Sequence, residues 1–91
     1  MLEIKDSTVL NRAIEAWGHE AQYLCAVEEC SELVQAICKH INRSASQEAI
    51  IEETADVFIM LMQVVAMTNE EAVQQVVDKK LMRLEERLNK A

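Results

Sequence analysis

Apolar residues recur every three to four positions along most of the chain, the period of an amphipathic helix. Leu10, Ile14 and Trp17 carry this spacing first, with Asp6 or Ser7 as the N-cap. Gly18, the only glycine, marks a bend. A second helix is predicted from about His19 to Ile41, on the stripe Tyr23, Ala26, Val27, Cys30, Leu33, Val34, Ile37 and Ile41. Asn42-Arg43-Ser44-Ala45 reads as a turn. Ser44 with Gln47 has capping-box spacing, and Ser46 is the alternative cap. The third helix reaches about Met67. Thr68 with Glu71 is a second box, opening a fourth helix to about Leu88 on Val73, Val76, Val77, Leu81, Leu84 and Leu88. Each connection is a few residues long, so consecutive helices are expected to pack antiparallel.

Composition narrows the class. At 91 residues the chain is expected to be a single domain over 1–91, and 51% hydrophobic content gives it material for a core. One glycine, no proline and 3% aromatics leave out the turn and phosphate-loop residues that a β-sandwich, a Rossmann unit or a P-loop needs. The fold class is therefore all-α, a four-helix bundle.

The third helix goes further. Val57 to Met62, then Val64 to Met67, covers nearly the whole circumference, broken only by Gln63. The stretch is too short to span a bilayer. A helix apolar all round must be covered on all sides, which three companion helices can hardly do. The bundle is expected to be completed by homo-oligomerisation, as a homodimer or homotetramer. The five methionines read as core filler. Cys25, Cys30 and Cys38, without CxxC spacing, read as small buried hydrophobes in a reducing cytoplasm. A net charge of −7 argues against nucleic acid and against an anionic membrane surface as partners. No signal peptide is visible at the start, so a cytoplasmic location is expected.

The acidic residues are concentrated. Glu28, Glu29 and Glu32 form one segment, and Glu52, Glu53 and Asp56 another; without these six, the rest of the 16 acids nearly balance the 9 Lys and Arg. On a helical wheel with Glu29 at zero, Leu33 falls at about 40°, Ala36 at about −20° and Cys25 at about −40°. Glu29 thus edges the apolar stripe, Glu32 sits just outside it, and Glu28 points furthest toward solvent. On the third helix Val57, Met60 and Val64 surround Glu53, with Asp56 on the side of Gln63. Folding the two helices back at Ser44 puts Glu32 and Asp56 at one level, with Glu29 and Glu53 offset by about 4–5 Å to either side.

Four carboxylates, Glu29, Glu32, Glu53 and Asp56, would then converge at a partly desolvated interface, an unstable arrangement without a counter-charge. A divalent cation supplies one, and an all-oxygen donor set suits Mg²⁺, or Mn²⁺, over Zn²⁺. A ferritin-like di-iron site would need Glu-x-x-His, which neither motif has.

Glu28-Glu29-x-x-Glu32, a gap of 20 residues, then Glu53-x-x-Asp56 resembles the EExxE…ExxD signature of the MazG-like, all-α nucleoside triphosphate pyrophosphohydrolases. The likeness extends to Trp17-Gly18, Gln22, Lys39 and Lys80-x-x-Arg83-Leu84, covering roughly Trp17 to Leu88. It implies Mg²⁺-dependent hydrolysis of the α–β linkage of a nucleoside triphosphate to monophosphate and pyrophosphate. It also implies Glu29, Glu32, Glu53 and Asp56 as metal ligands, and a second-metal or water-orienting role for Glu28. Lys39, Lys79, Lys80 and Arg83 are candidates by resemblance to hold the phosphate tail; for Lys79-Lys80 a solvated helix end favoured by the macrodipole is the alternative. Trp17 is a candidate to stack on a base, against the plainer reading of a core residue. His19 and His40 read as surface or core-edge residues, His40 lying on the Glu29 side of its helix.

Two other readings stand beside this one. Phosphoribosyl-ATP pyrophosphatases of histidine synthesis have similar length and a related double motif. A non-enzymatic helical oligomer could use the acidic face to bind a basic partner or a regulatory cation.

Overall fold

The computed structural model describes all 91 residues, Met1–Ala91, as four helices and no strand. They are α1 (Thr8–Trp17), α2 (His19–Ile41), α3 (Gln47–Met67) and α4 (Glu70–Lys90). The all-α class expected from the periodicity is the class observed.

Local chemistry sets the boundaries. Asp6 Oδ1 accepts from the Thr8 backbone N–H at 3.0 Å and from its hydroxyl at 2.5 Å, occupying a donor that the first turn leaves free. These bonds hold the Asp6 carboxyl below its usual range. Gly18 has φ 89° and ψ 159°, a region essentially reserved for glycine. Its N–H donates to the Ile14 carbonyl at 2.8 Å, so one residue both ends α1 and starts α2.

Two expected capping boxes do not form. At the end of α2 the Ser44 N–H donates to the Lys39 carbonyl and the Arg43 N–H to that of His40, both at 2.9 Å. This is a Schellman closure, with Arg43 in the left-handed position at φ 61° where glycine is usual. The Ser44 hydroxyl also donates to Lys39, at 3.1 Å, so Ser44 closes α2 and Ser46, with extended backbone, precedes α3. Thr68 likewise finishes α3: its hydroxyl donates to the Val64 carbonyl at 2.8 Å. The cap of α4 is Asn69, whose side chain accepts from the Ala72 N–H at 3.0 Å. In both cases the preceding helix's free carbonyls take the hydroxyl that the spacing had assigned to the next helix.

α2 and α3 form an antiparallel hairpin that is the body of the structure, and α1 leans on both. Leu10, Ala26, Ala36, Val57 and Met60 make its apolar centre. The packed face of α2 keeps only Ala26 and Leu33 of the predicted stripe. It runs through Gln22, Ala26, Glu29, Leu33 and Ala36, while Tyr23, Val27, Val34, Ile37 and Ile41, centred roughly 100° round the helix, stay exposed. Two apolar faces compete on α2, and small Ala26 and Ala36 allow the closer approach.

α4 departs from the expected antiparallel packing. It touches only α3 and buries no residue. The Thr68–Asn69 link, with Asn69 extended, directs it outward. The radius of gyration is 15.7 Å, against about 12 Å for a compact chain of this length. Trp17 (68% exposed) and all three cysteines are at the surface of the chain, contrary to their reading as buried residues. With α4 turned away, one chain does not have enough surface to cover them.

Candidate metal centre

The α2–α3 interface that buries Ala26, Ala36, Val57 and Met60 also carries the acidic motifs. Carboxylate oxygens of Glu29, Glu53 and Asp56 all lie within 4.8 Å of one another. Glu29, Glu32 and Glu53 are half-buried, Asp56 and Glu28 exposed. Glu32 stands outside that triple and lines the adjoining cleft with Glu53, its negative charge acting on both Glu29 and Glu53. The hairpin thus brings three of the four expected carboxylates, Glu29, Glu53 and Asp56, together, with Glu32 outside the group.

A buried bond also ties the two helices further from the turn. Gln22 Nε2 donates to Gln63 Oε1 at 2.6 Å across the hairpin. Counting seven residues inward on each helix from this bond reaches Glu29 and Asp56, whose carboxylate oxygens lie within 4.8 Å, and three more reaches Glu32 and Glu53.

Glu29 Oε2 and Glu53 Oε2 are buried with no hydrogen-bond partner. A buried polar atom without a partner is costly, and a charged one more so. The Glu29 carboxyl is accordingly pushed above its usual range, first by burial and then by the negative charges of Glu32 and Asp56. Glu53 is raised by burial, then by Glu32 and Asp56, with Glu52 adding a smaller effect. Unpartnered buried oxygens on two of three clustered carboxylates belong to the kind of all-oxygen donor set a small divalent cation takes.

Beside the acids lies a cleft of about 450 Å³, lined by Glu32, Gln35, Lys39, Ser44, Ala49 and Glu53 among others. Lys39 therefore shares the site's cleft. Lys79, Lys80 and Arg83 do not: they line a groove on α4 with Val76, Met82 and Glu86. Trp17 ends α1 in solvent, and His40 is tied to the turn, its Nδ1 3.3 Å from the Ala45 carbonyl. Gln63 was legible only as an interruption of an apolar stretch. A lone polar residue in such a run is the signal by which its buried pairing could have been found.

An all-α chain whose helical hairpin sets Glu-x-x-Glu against Glu-x-x-Asp defines a class of acid-cluster helical proteins. Within that class, this chain belongs to the MazG nucleotide pyrophosphohydrolase domain family, whose model matches residues 17–90. The match begins at Trp17-Gly18 and includes α4, so the outward helix is part of the family's domain. No curated protein matches the chain, and no solved structure does. No helix is long and apolar enough to cross a membrane.

Proposed function

We propose that this chain, taken as one domain over 1–91, hydrolyses the α–β linkage of a nucleoside triphosphate to monophosphate and pyrophosphate, with Mg²⁺ or Mn²⁺. The observation that carries the reading is the pair of unpartnered buried oxygens on Glu29 and Glu53, in a chain of this family. Glu29, Glu32, Glu53 and Asp56 would hold the cation. When bound, it supplies neutralisation of the triphosphate and polarisation of its phosphoryl oxygens.

The remaining work falls to the chain itself. Glu28, exposed next to Glu29, orients the attacking water and accepts its proton as the oxygen adds to the α-phosphorus. The bond to the β-phosphate oxygen breaks and pyrophosphate leaves. Lys39, across the cleft, holds a phosphate oxygen by charge-assisted hydrogen bonding. Without a cation, a chain of net charge −7 with an acidic cleft would repel its substrate.

The working unit in this reading is a homodimer, or a tetramer built from it. The exposed faces of α2 and α4, with Val34, Ile41, Leu81 and Leu88 among them, are apolar surface of the kind a second copy covers. The partner's α4 would bring Lys79, Lys80 and Arg83 to the phosphate tail, and Trp17 would stack on the base. Three unpaired surface thiols fit a reducing compartment, the cytoplasm.

A panel of nucleoside triphosphates and phosphoribosyl-ATP, assayed for pyrophosphate with and without Mg²⁺, tests the reading. Metal-dependent release from a triphosphate supports it, and Glu53→Gln should abolish that release with helical content unchanged. Turnover of phosphoribosyl-ATP alone would replace the substrate; no release from any compound would leave a cation- or partner-binding oligomer.

A further inference from the structure

The α2–α3 interface contains one polar pair that the proposed chemistry does not use. Gln22 and Gln63 are 3% and 4% exposed, deeper than any carboxylate of the site. Gln22 Nε2 donates to Gln63 Oε1 at 2.6 Å, and Gln63 Nε2 sits 3.5 Å from Met60 Sδ, a weak acceptor. The other buried residues of this interface, Ala26, Ala36, Val57 and Met60, make contacts without direction. Such contacts fix how close two helices lie but resist sliding weakly. A hydrogen bond fails beyond about 3.5 Å and leaves two buried amides unpaired when it does, so it penalises sliding sharply.

The position of the pair matters as much as its chemistry. Seven residues separate Gln22 from Glu29 on α2, and seven separate Asp56 from Gln63 on α3. Seven residues are nearly two full turns, so bond and cluster share one face of each helix, about 10 Å apart along the axis. Over two turns a helix moves as a rod, and any slide allowed at the glutamines is passed whole to the carboxylates. Mg²⁺ demands oxygens at about 2.0–2.1 Å in near-octahedral geometry, so a slide of an ångström there is not tolerated.

We propose that Gln22 and Gln63 are positioning residues for the acid cluster: their buried amide bond sets the axial register of α2 on α3 that holds Glu29 against Asp56 and Glu32 against Glu53. This rests on the metal-binding reading above and adds a control of it. A single buried polar contact choosing one helix register among several apolar ones is an attested device.

The test compares the whole wild-type chain with Gln63→Met and with the double variant Gln22→Met/Gln63→Met. Mn²⁺ affinity is read by calorimetry, and melting and helicity by circular dichroism. The single variant should melt lower, because Gln22 is left buried and unpaired. The double variant keeps side-chain length with no orphaned amide; it should melt at or above wild type yet bind Mn²⁺ at least about tenfold more weakly. A merely structural role would leave Mn²⁺ affinity unchanged once stability is restored. Wild-type stability with Mn²⁺ affinity within twofold of wild type overturns the register proposal alone. Absence of Mn²⁺ binding by the wild-type chain instead overturns the functional reading beneath it. Gln22→Leu/Gln63→Leu, judged by the same two criteria, serves if the methionine pair does not fold.

Discussion

Replacing Glu53 by glutamine should shift the metal-free and metal-bound proteins in opposite directions. In the metal-free chain Glu53 is a half-buried carboxylate with one oxygen unpartnered and Glu32 and Asp56 close by, so its charge works against folding at neutral pH. Glutamine keeps the shape, removes the charge and offers an N–H to Glu32. The metal-free variant should therefore melt no lower than wild type. Cation binding acts the other way. At a free Mg²⁺ concentration 100 times Kd, a site present only in the folded state adds about 2.7 kcal/mol. For a chain of this length each kcal/mol raises the melting temperature by roughly 4–8 °C, so wild type should gain roughly 10–20 °C. The variant should gain little. The assay is a pair of thermal melts at one protein concentration, with EDTA and with MgCl2. A metal-free variant that melts well below wild type, or one that keeps the full Mg²⁺ shift, would refute the reasoning.

Other consequences concern pH and the turns. Glu29 and Glu53 have native carboxyls raised above the ordinary 4.5, so their stabilising contribution is full below that value and is lost as pH rises through the raised native range. Asp6, lowered from 3.8, behaves oppositely and loses its contribution as pH falls through its depressed native value. Metal-free melts should thus show stability falling above pH 4.5 through the raised range, and Mg²⁺ should remove that fall; a flat profile in EDTA would contradict the burial of the acids. Gly18→Ala places a side chain at φ 89° with nothing within 4 Å to clash, so its cost is backbone strain alone, about 1–3 kcal/mol in chemical denaturation. Arg43→Gly should stabilise by up to about 1 kcal/mol by relieving the left-handed backbone at φ 61° without touching the acid cluster. A loss of stability there would mean that the Arg43 side chain makes contacts that outweigh the strain.

The helices themselves were written locally. Periodicity depends on neighbours three and four residues away, so α2 from His19 to Ile41, the break at Gly18 and the end of α3 at Met67 were all readable. That acids of α2 and α3 meet was readable for the same reason, since two rods joined by a short turn leave few ways to fold back, and Glu29, Glu53 and Asp56 do meet. What the pattern left open were choices between local options of similar strength. Ser44 and Thr68 could each serve the helix before or the helix after, and the path of the chain gave them to the helix before. α2 offered two apolar faces, and packing density chose the one with the small alanines, which rotated Gln22 and Glu29 into the interface and left Tyr23 and Val34 outside. The direction of α4 came from the backbone of Thr68 and Asn69, which no hydrophobic period encodes. Sequence by itself determined where this chain is helical and which acids share a face, because both follow from spacing along one rod. Only the tertiary structure decided which faces meet and in what register, because those depend on the shapes of two surfaces at once.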